Sequence, residues 1–344
     1  MKEEGALIDM KLSVLDQSPI SRGSSPEQAL ANTVELAKVT EKLGYTRFWV
    51  AEHHNTNGLA SVSPEVLISH IASETQSIRV GSGGVLLPQY SPFKVAENFK
   101  LLEALFPGRI DLGIGRSPGG SKETRMALTD GDPKSMSEFP RQLADLQGFL
   151  HNTLPRDHQY RMVKATPRTR NAPPMWVLGL SERGAANAAE MGTGFTFGHF
   201  INPTNGVAAM KTYREKFQPS VDRDEPEANV CIFIVCAETE EKAEELALSQ
   251  DRWLLNVGKG AGTKVPSIEE VKKRPLRPDD LKEMRENRKR SVIGTPEKVK
   301  EELERLSDVY QTDEFMVITN IYDFDEKVRS YELLAEAFGW LGRI

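Results

Sequence analysis

The chain has 344 residues, 39% of them hydrophobic and 27% charged, which is ample for a large core in one α/β barrel or two smaller domains. Its formal net charge of −6 provides no global basic field for nucleic acid or an anionic membrane surface. No apolar run approaches the roughly 20 residues of a membrane span, residues 1–10 are short and acidic rather than signal-like, and two cysteines fit a reducing cytoplasm.

In chain order, residues 12–16 read as a first strand, followed by a loop rich in Ser, Pro and Gly. Ser25-Pro26-Glu27 opens a helix with Pro at its first position, and Leu30, Val34, Ala37 and Leu43 give it one buried stripe. Residues 48–51 form a compact second strand ending in Glu52-His53-His54. Ser63-Pro64-Glu65 opens the next helix, whose Val66, Leu67, Ile68, Ile71 and Ala72 present more apolar surface than one stripe requires. That excess suits either a well-buried barrel helix or an isologous interface. A third strand begins at 78–80 and runs into Gly81-Ser82-Gly83-Gly84. Ser91-Pro92 opens a third helix to about Leu105, Pro107-Gly108 stops it, and residues 109–115 form a fourth strand.

Strands follow over 175–178, 195–197, 230–236 and 314–318, with helices over 184–191, 207–217, from Thr239 onward, and over 325–338. Eight strand–helix repeats with no second composition regime predict a single (β/α)8 TIM barrel spanning 1–344. A doubly wound sheet is the rival, because periodicity does not report closure. Cys231 and Cys236 are an odd number of strand residues apart and point to opposite faces, which argues against a mutual disulfide.

Two insertions, about 116–137 and 258–290, break the rhythm. The first follows the fourth strand on the face where barrels carry their chemistry, and reads as a lid or as a plain surface excursion. The second holds Lys272-Lys273-Arg274 and Lys289-Arg290, but Glu and Asp are interleaved throughout. A solvated mobile insertion is therefore expected rather than a nucleic-acid site.

Four strand ends carry candidate chemistry. At Glu52-His53-His54, adjacent histidines point in different directions, so one of them faces a central pocket. No His-x-His, HExxH or Cys cluster joins them, so no metal is expected. A neutral imidazole there can hydrogen-bond to a bound cofactor. Gly81-Ser82-Gly83-Gly84 does not open into a helix, which disfavours a dinucleotide fingerprint and favours a planar ligand against the backbone. Arg116, after Gly113-Ile114-Gly115, offers a guanidinium fork for phosphate. Ser181, in Gly179-Leu180-Ser181-Glu182-Arg183-Gly184, is either a plain N-cap or part of an anion site at a helix N-terminus. His199, after the sixth strand, is open between site residue and ordinary loop histidine.

At these residues the sequence resembles the bacterial luciferase-like flavin monooxygenases. The likeness runs from Trp49-Val50-Ala51-Glu52-His53-His54 through Gly81-Ser82-Gly83-Gly84-Val85-Leu86-Leu87-Pro88 to Phe106-Pro107-Gly108-Arg109-Ile110-Asp111-Leu112-Gly113-Ile114-Gly115-Arg116, and resumes at Leu178-Gly179-Leu180-Ser181. The resemblance implies a TIM barrel that binds FMN at its C-terminal mouth, usually as a homodimer. His53 falls on the family's catalytic histidine, and Gly83-Gly84 on the pair whose non-proline cis peptide backs the isoalloxazine ring. Arg116, Leu180 and Ser181 fall on the residues that grip the FMN phosphate. Gly184 and Gly115 depart from luciferase itself, where a hydroxyl and a reactive cysteine stand, which weakens any expectation of luminescence but not of flavin binding.

The resemblance therefore implies a cytoplasmic monooxygenase: a separate flavin reductase supplies reduced FMN, and O2 oxidises a small organic substrate. A deazaflavin (F420)-dependent hydride transfer and a non-catalytic flavin-binding protein are the alternatives. Glu52 and His54 are expected to support His53.

Overall fold

A computed structural model of the chain describes residues 10–274 and 276–340; residues 1–9, where no signal peptide was expected, lie outside it. The first half runs β1 (Lys11–Asp16), α1 (Pro26–Lys42), β2 (Arg47–Val50), α2 (Pro64–Glu74), β3 (Arg79–Ser82), β4 (Val85–Leu86), α3 (Pro92–Leu105) and β5 (Ile110–Gly115). Then come α4 (Lys122–Leu128), α5 (Phe139–His151), β6 (Met175–Gly179), α6 (Glu182–Glu190), β7 (Gly194–Gly198) and α7 (Gly206–Lys216). The chain closes with β8 (Ala228–Cys236), α8 (Glu240–Gly258), α9 (Ile268–Lys273), α10 (Pro278–Arg288), β9 (Ser291–Gly294), α11 (Pro296–Tyr310), β10 (Glu314–Ile318) and α12 (Phe324–Ala337). Serine and threonine caps set several helix starts: Ser25 accepts from the Gln28 N–H, Ser91 from Lys94 and Thr239 from Lys242.

The strands pair in the order β10-β1-β2-β3-β5-β6-β7-β8, all parallel, and β8 returns to β10. This is a closed eight-stranded barrel ringed by helices, the expected TIM fold. The short β4 continues the line of β3 along β5. Strand β9 and helix α11 were not anticipated. Cys231 O accepts from Phe200 N on the β7 edge of β8, and Phe233, two residues on, donates to Arg290 O on the same edge. Strand β9 thus extends the sheet beyond the end of β7.

The 258–290 insertion is also more regular than expected. It carries α9 and α10, and Arg288 is held by Asp251 at 2.7 Å and Glu244 at 2.6 Å on α8. Its basic residues are thus partly consumed in ion pairs. The 116–137 insertion contains α4, capped by Ser121.

Two large apolar cores result, beside a smaller cluster around Val235, Leu246 and Ile321. One lies between strands and helices, the other inside the barrel around Leu15, Trp49, Trp176, Phe233 and Met316. Alternate strand residues point inward, and the lowest inward layer is ionic. Arg47 bonds Glu314 at 2.8 Å, Asp111 at 3.2 Å and Glu227 at 2.8 Å, while Arg79 bonds Asp111 at 2.6 Å. Above this floor, Trp49 and Trp176 meet edge to face with centroids 5.5 Å apart. At the upper levels β3 and β5 contribute only Gly81, Gly83, Gly113 and Gly115, so a slot opens above the tryptophans. A Cβ on Gly113 would strike the Ser82 carbonyl, so packing requires glycine there, while one on Gly83 would press on the end of the Leu15 side chain.

Candidate active site

The slot opens at the C-terminal ends of the strands into a cavity of about 620 Å³, an ordinary size for a small-molecule site. His53, Gly83, Gly84, Arg116, Leu180 and Ser181 all line it. Residues up to 128 positions apart in sequence, the span from His53 to Ser181, are therefore gathered at one mouth.

His53 lies just beyond β2, where its backbone N–H donates to Ser61 O at 3.0 Å and Ser61 Oγ donates to Ala51 O at 2.5 Å. Its Nδ1 is buried without a protein partner. Burial, reinforced by the neighbouring His54, pushes the imidazole down to about 4, so the ring is neutral at physiological pH. Since an unfolded histidine titrates near 6.5, unfolding takes up a proton below about that pH. The resulting stability is fully present above about pH 6.5 and is lost as pH falls toward 4. His199, also lowered by burial, acts with the same sign. Thermal midpoints should therefore drop between pH 7.5 and 4.5, and His53→Gln should flatten that slope; an identical slope in the variant contradicts the assignment.

Glu52 and His54 do not share His53's freedom. Glu52 Oε2 accepts from Leu86 N–H at 2.8 Å, and its Oε1 accepts from Tyr90 O–H at 2.6 Å and meets His54 Nε2 at 2.7 Å. Burial raises the Glu52 carboxyl above its ordinary value, outweighing these bonds. The Gly83–Gly84 peptide is cis, forming cavity wall beside His53.

On the other side, Arg116 follows β5 half-buried, with no ion pair or side-chain hydrogen bond among the described residues. Ser181 caps α6, accepting from Gly184 N–H at 3.4 Å. Leu180 lies against Gly198, where any Cβ would displace it. Two further buried polar atoms on the wall lack protein partners: Gln17 Oε1, just after β1, and Thr196 Oγ1, in β7. Neither was singled out from the sequence, because a lone Gln after a strand and a Thr within one carry no spacing signal.

His199 is outside the cavity. Its Nδ1 meets Tyr310 O–H at 2.8 Å and its Nε2 meets Lys289 O at 3.1 Å, a buried structural role. Cys231 faces the cavity while Cys236 packs in the outer core, and both are free thiols. Among the described residues no cluster of His, Cys, Asp and Glu could hold a metal, and no helix is long and apolar enough to cross a membrane.

Comparison with known proteins gives one family. Residues 10–312 match the model for luciferase-like monooxygenases. The chain is 58% identical to YceB of Bacillus subtilis (strain 168), over 95% of this chain and 99% of that one. It is 37% identical to the N-acetyl-S-alkylcysteine monooxygenase of the same organism, over 95% and 98%. Among solved structures, apo-MsnO8 superposes with a TM-score of 0.88 at 37% identity, covering 96% of this chain and 98% of that one. The fold alone is shared, at 19% identity and a TM-score of 0.70, over 96% and 97% of the two chains, with the oxygenating constituent of 3,6-diketocamphane monooxygenase of Pseudomonas putida in complex with FMN.

Proposed function

As the chain belongs to the luciferase-like monooxygenase family, we propose that it binds reduced FMN at the barrel mouth and uses O2 to oxidise a small organic substrate. One observation carries this reading. Among the described residues, a single cavity holds three buried polar atoms without protein partners, on Gln17, His53 and Thr196, and a guanidinium without a counter-ion, Arg116. Buried polar groups are normally bonded, so such a set fits a ligand with a polar ring system and an anionic end.

Arg116, Ser181 and the first-turn amides of α6 would hold the phosphate. The Gly83–Gly84 backbone would back the ring, with His53 at its edge. Reduced FMN supplies the electrons and the activation of O2. The chain's residues orient it and exclude water: Trp49 and Trp176 close the floor, and Leu15, Leu178, Phe200 and Met316 surround the slot. The neutral His53 ring can hold a proton on one nitrogen and accept one on the other.

A separate cytoplasmic reductase is the proposed source of reduced FMN. A homodimer is proposed through the neighbouring helices α2 and α3, which leave Val66, Leu101 and Leu105 exposed at 69%, 52% and 56%. The 37%-identical relative suggests an N-acetyl-S-alkylcysteine as the first substrate to try.

The test is FMN titration of the purified protein, then oxygen uptake with a flavin reductase, NADH and that thioether. Turnover independent of O2 would instead indicate a deazaflavin, and no binding of either cofactor would reject the reading. Arg116→Ala should weaken FMN binding about 10- to 100-fold, the range for lost hydrogen bonds to a charged group. Because Arg116 has no partner to orphan among the described residues, the variant's thermal midpoint should match wild type. Equal FMN affinity would remove Arg116 from the phosphate site.

A further inference from the structure

Glu52 and His54 line the cavity, but Tyr90 lines a second, open groove of about 1030 Å³ that also touches α5 and the 155–160 loop. The segments 86–92 and 132–142 form the wall between the two spaces. Through that wall runs one continuous set of hydrogen bonds. Tyr90 O–H donates to Glu52 Oε1 at 2.6 Å, the same oxygen meets His54 Nε2 at 2.7 Å, and the tyrosine oxygen lies 3.4 Å from His54 Nε2. Leu86 N–H fixes the other carboxylate oxygen at 2.8 Å, so the carboxyl cannot rotate away without losing a bond.

We propose that Tyr90, Glu52 and His54 form a proton path from the outer groove into the cofactor cavity. The inference rests on the flavin reading, and that reaction consumes a proton. If reduced FMN enters as its anion, the overall change is FMNH⁻ + H⁺ + O2 + substrate → FMN + oxygenated substrate + H2O. O2 takes up four electrons, two from the flavin and two from the substrate, and one proton must come from solvent. Where bound cofactor and substrate displace water from the slot, a path through the wall can carry this proton.

The three side chains deliver it without leaving a charge behind. Protonated Glu52 passes its proton to His54 Nε2 while His54 releases its Nδ1 proton to the cavity. Tyr90 then reprotonates Glu52 as it takes a hydronium proton from the groove, and a flip of the His54 ring returns its proton to the cavity side for the next turnover. Of the groove's other titratable groups, Lys134 is paired with Asp132, Arg141 with Glu138 and Asp145, and His158 with Asp145, while Asp157 stands on the 155–160 loop. The plainer role, an anchor for the 86–90 turn, is already met by Glu52 and Leu86. It gives no reason for Tyr90 and His54 to share one oxygen.

Tyr90→Phe keeps the ring and removes only the hydroxyl, and Glu52→Gln is the companion variant. In cofactor-free protein, ¹⁵N-histidine NMR should show the His54 ring resonances displaced in Tyr90→Phe, because the ring nitrogen shares its carboxylate oxygen with that hydroxyl. Protein loaded with reduced FMN is then mixed with O2-saturated buffer in H2O and in D2O, with no organic substrate. Flavin reoxidation should slow about tenfold or more in both variants, with a larger solvent isotope effect, while FMN affinity stays within about twofold. Wild-type reoxidation and isotope effect in Tyr90→Phe would overturn the path. Failure of the wild type to take FMN would overturn the flavin reading, and with it the path's purpose. Even then the histidine spectra would report the Tyr90–Glu52–His54 coupling, and unchanged His54 resonances would refute it separately.

Discussion

Asp111→Ala is expected to lower the free energy of unfolding by about 3–5 kcal/mol, the cost of breaking a buried ion pair from one side. Asp111 is fully buried, and its two oxygens take Arg79 Nε and Nη2 at 3.0 and 2.6 Å, Arg47 Nη1 at 3.2 Å and Trp49 Nε1 at 3.0 Å. Burial alone would raise this carboxyl, but Arg47 and Arg79 outweigh it and hold it below the usual carboxylate range. Removal leaves Arg47, itself nearly buried, with an uncompensated share of charge and orphans the indole N–H. Urea denaturation should show a lower midpoint with an unchanged slope. A single variant within about 1 kcal/mol of wild type would show that Glu314 and Glu227 neutralise Arg47 without Asp111.

That ionic floor was invisible in the sequence for a definite reason. Arg79, Asp111 and Glu314 fell inside the expected strands and Arg47 just before one, but no local pattern shows that charges on four separate strands meet inside the barrel. The barrel itself was legible because each repeat carries two local signals, an apolar strand and a capped helix start. Those signals failed at β9, whose Ser291-Val292-Ile293-Gly294 directly follows the charged Arg288-Lys289-Arg290. The Thr295-Pro296 start of α11 is the same device as Ser25-Pro26, and was legible had the strand before it been seen.

The site divides in the same way. His53, the glycine pair, Arg116 and Ser181 all stand at strand ends, so strand assignment alone placed them at one face. Tyr90, Gln17 and Thr196 reach the site or its wall through tertiary placement that no local pattern encodes. Tyr90 is brought to Glu52 by the short turn over Leu87–Gln89, and Thr196 faces inward only once the parity of β7 is fixed by Gly194 beneath Trp176.

His53→Ala should separate holding the cofactor from using it. The ring faces the cavity with a buried, unpartnered Nδ1, whereas Arg116 and Ser181 stand on other strand ends. Deleting the imidazole therefore breaks no protein hydrogen bond of its side chain, and FMN affinity should change by no more than about threefold. On the proposed reading, what is lost is a preorganised hydrogen-bonding group at the reacting edge, and such groups contribute about 10²- to 10³-fold. With a reductase, NADH and the thioether probe, coupled oxygenation should fall by that factor, and the O2 consumed should be recovered as H2O2. The ring titrates near 4, so the wild-type advantage should not vary between about pH 6 and 8. A protonated His53 would instead make that advantage decline as pH rises through its titration. Should His53→Ala oxidise the thioether at the wild-type yield, the flavin-edge role passes to another group, and His54 is the neighbour placed to take it.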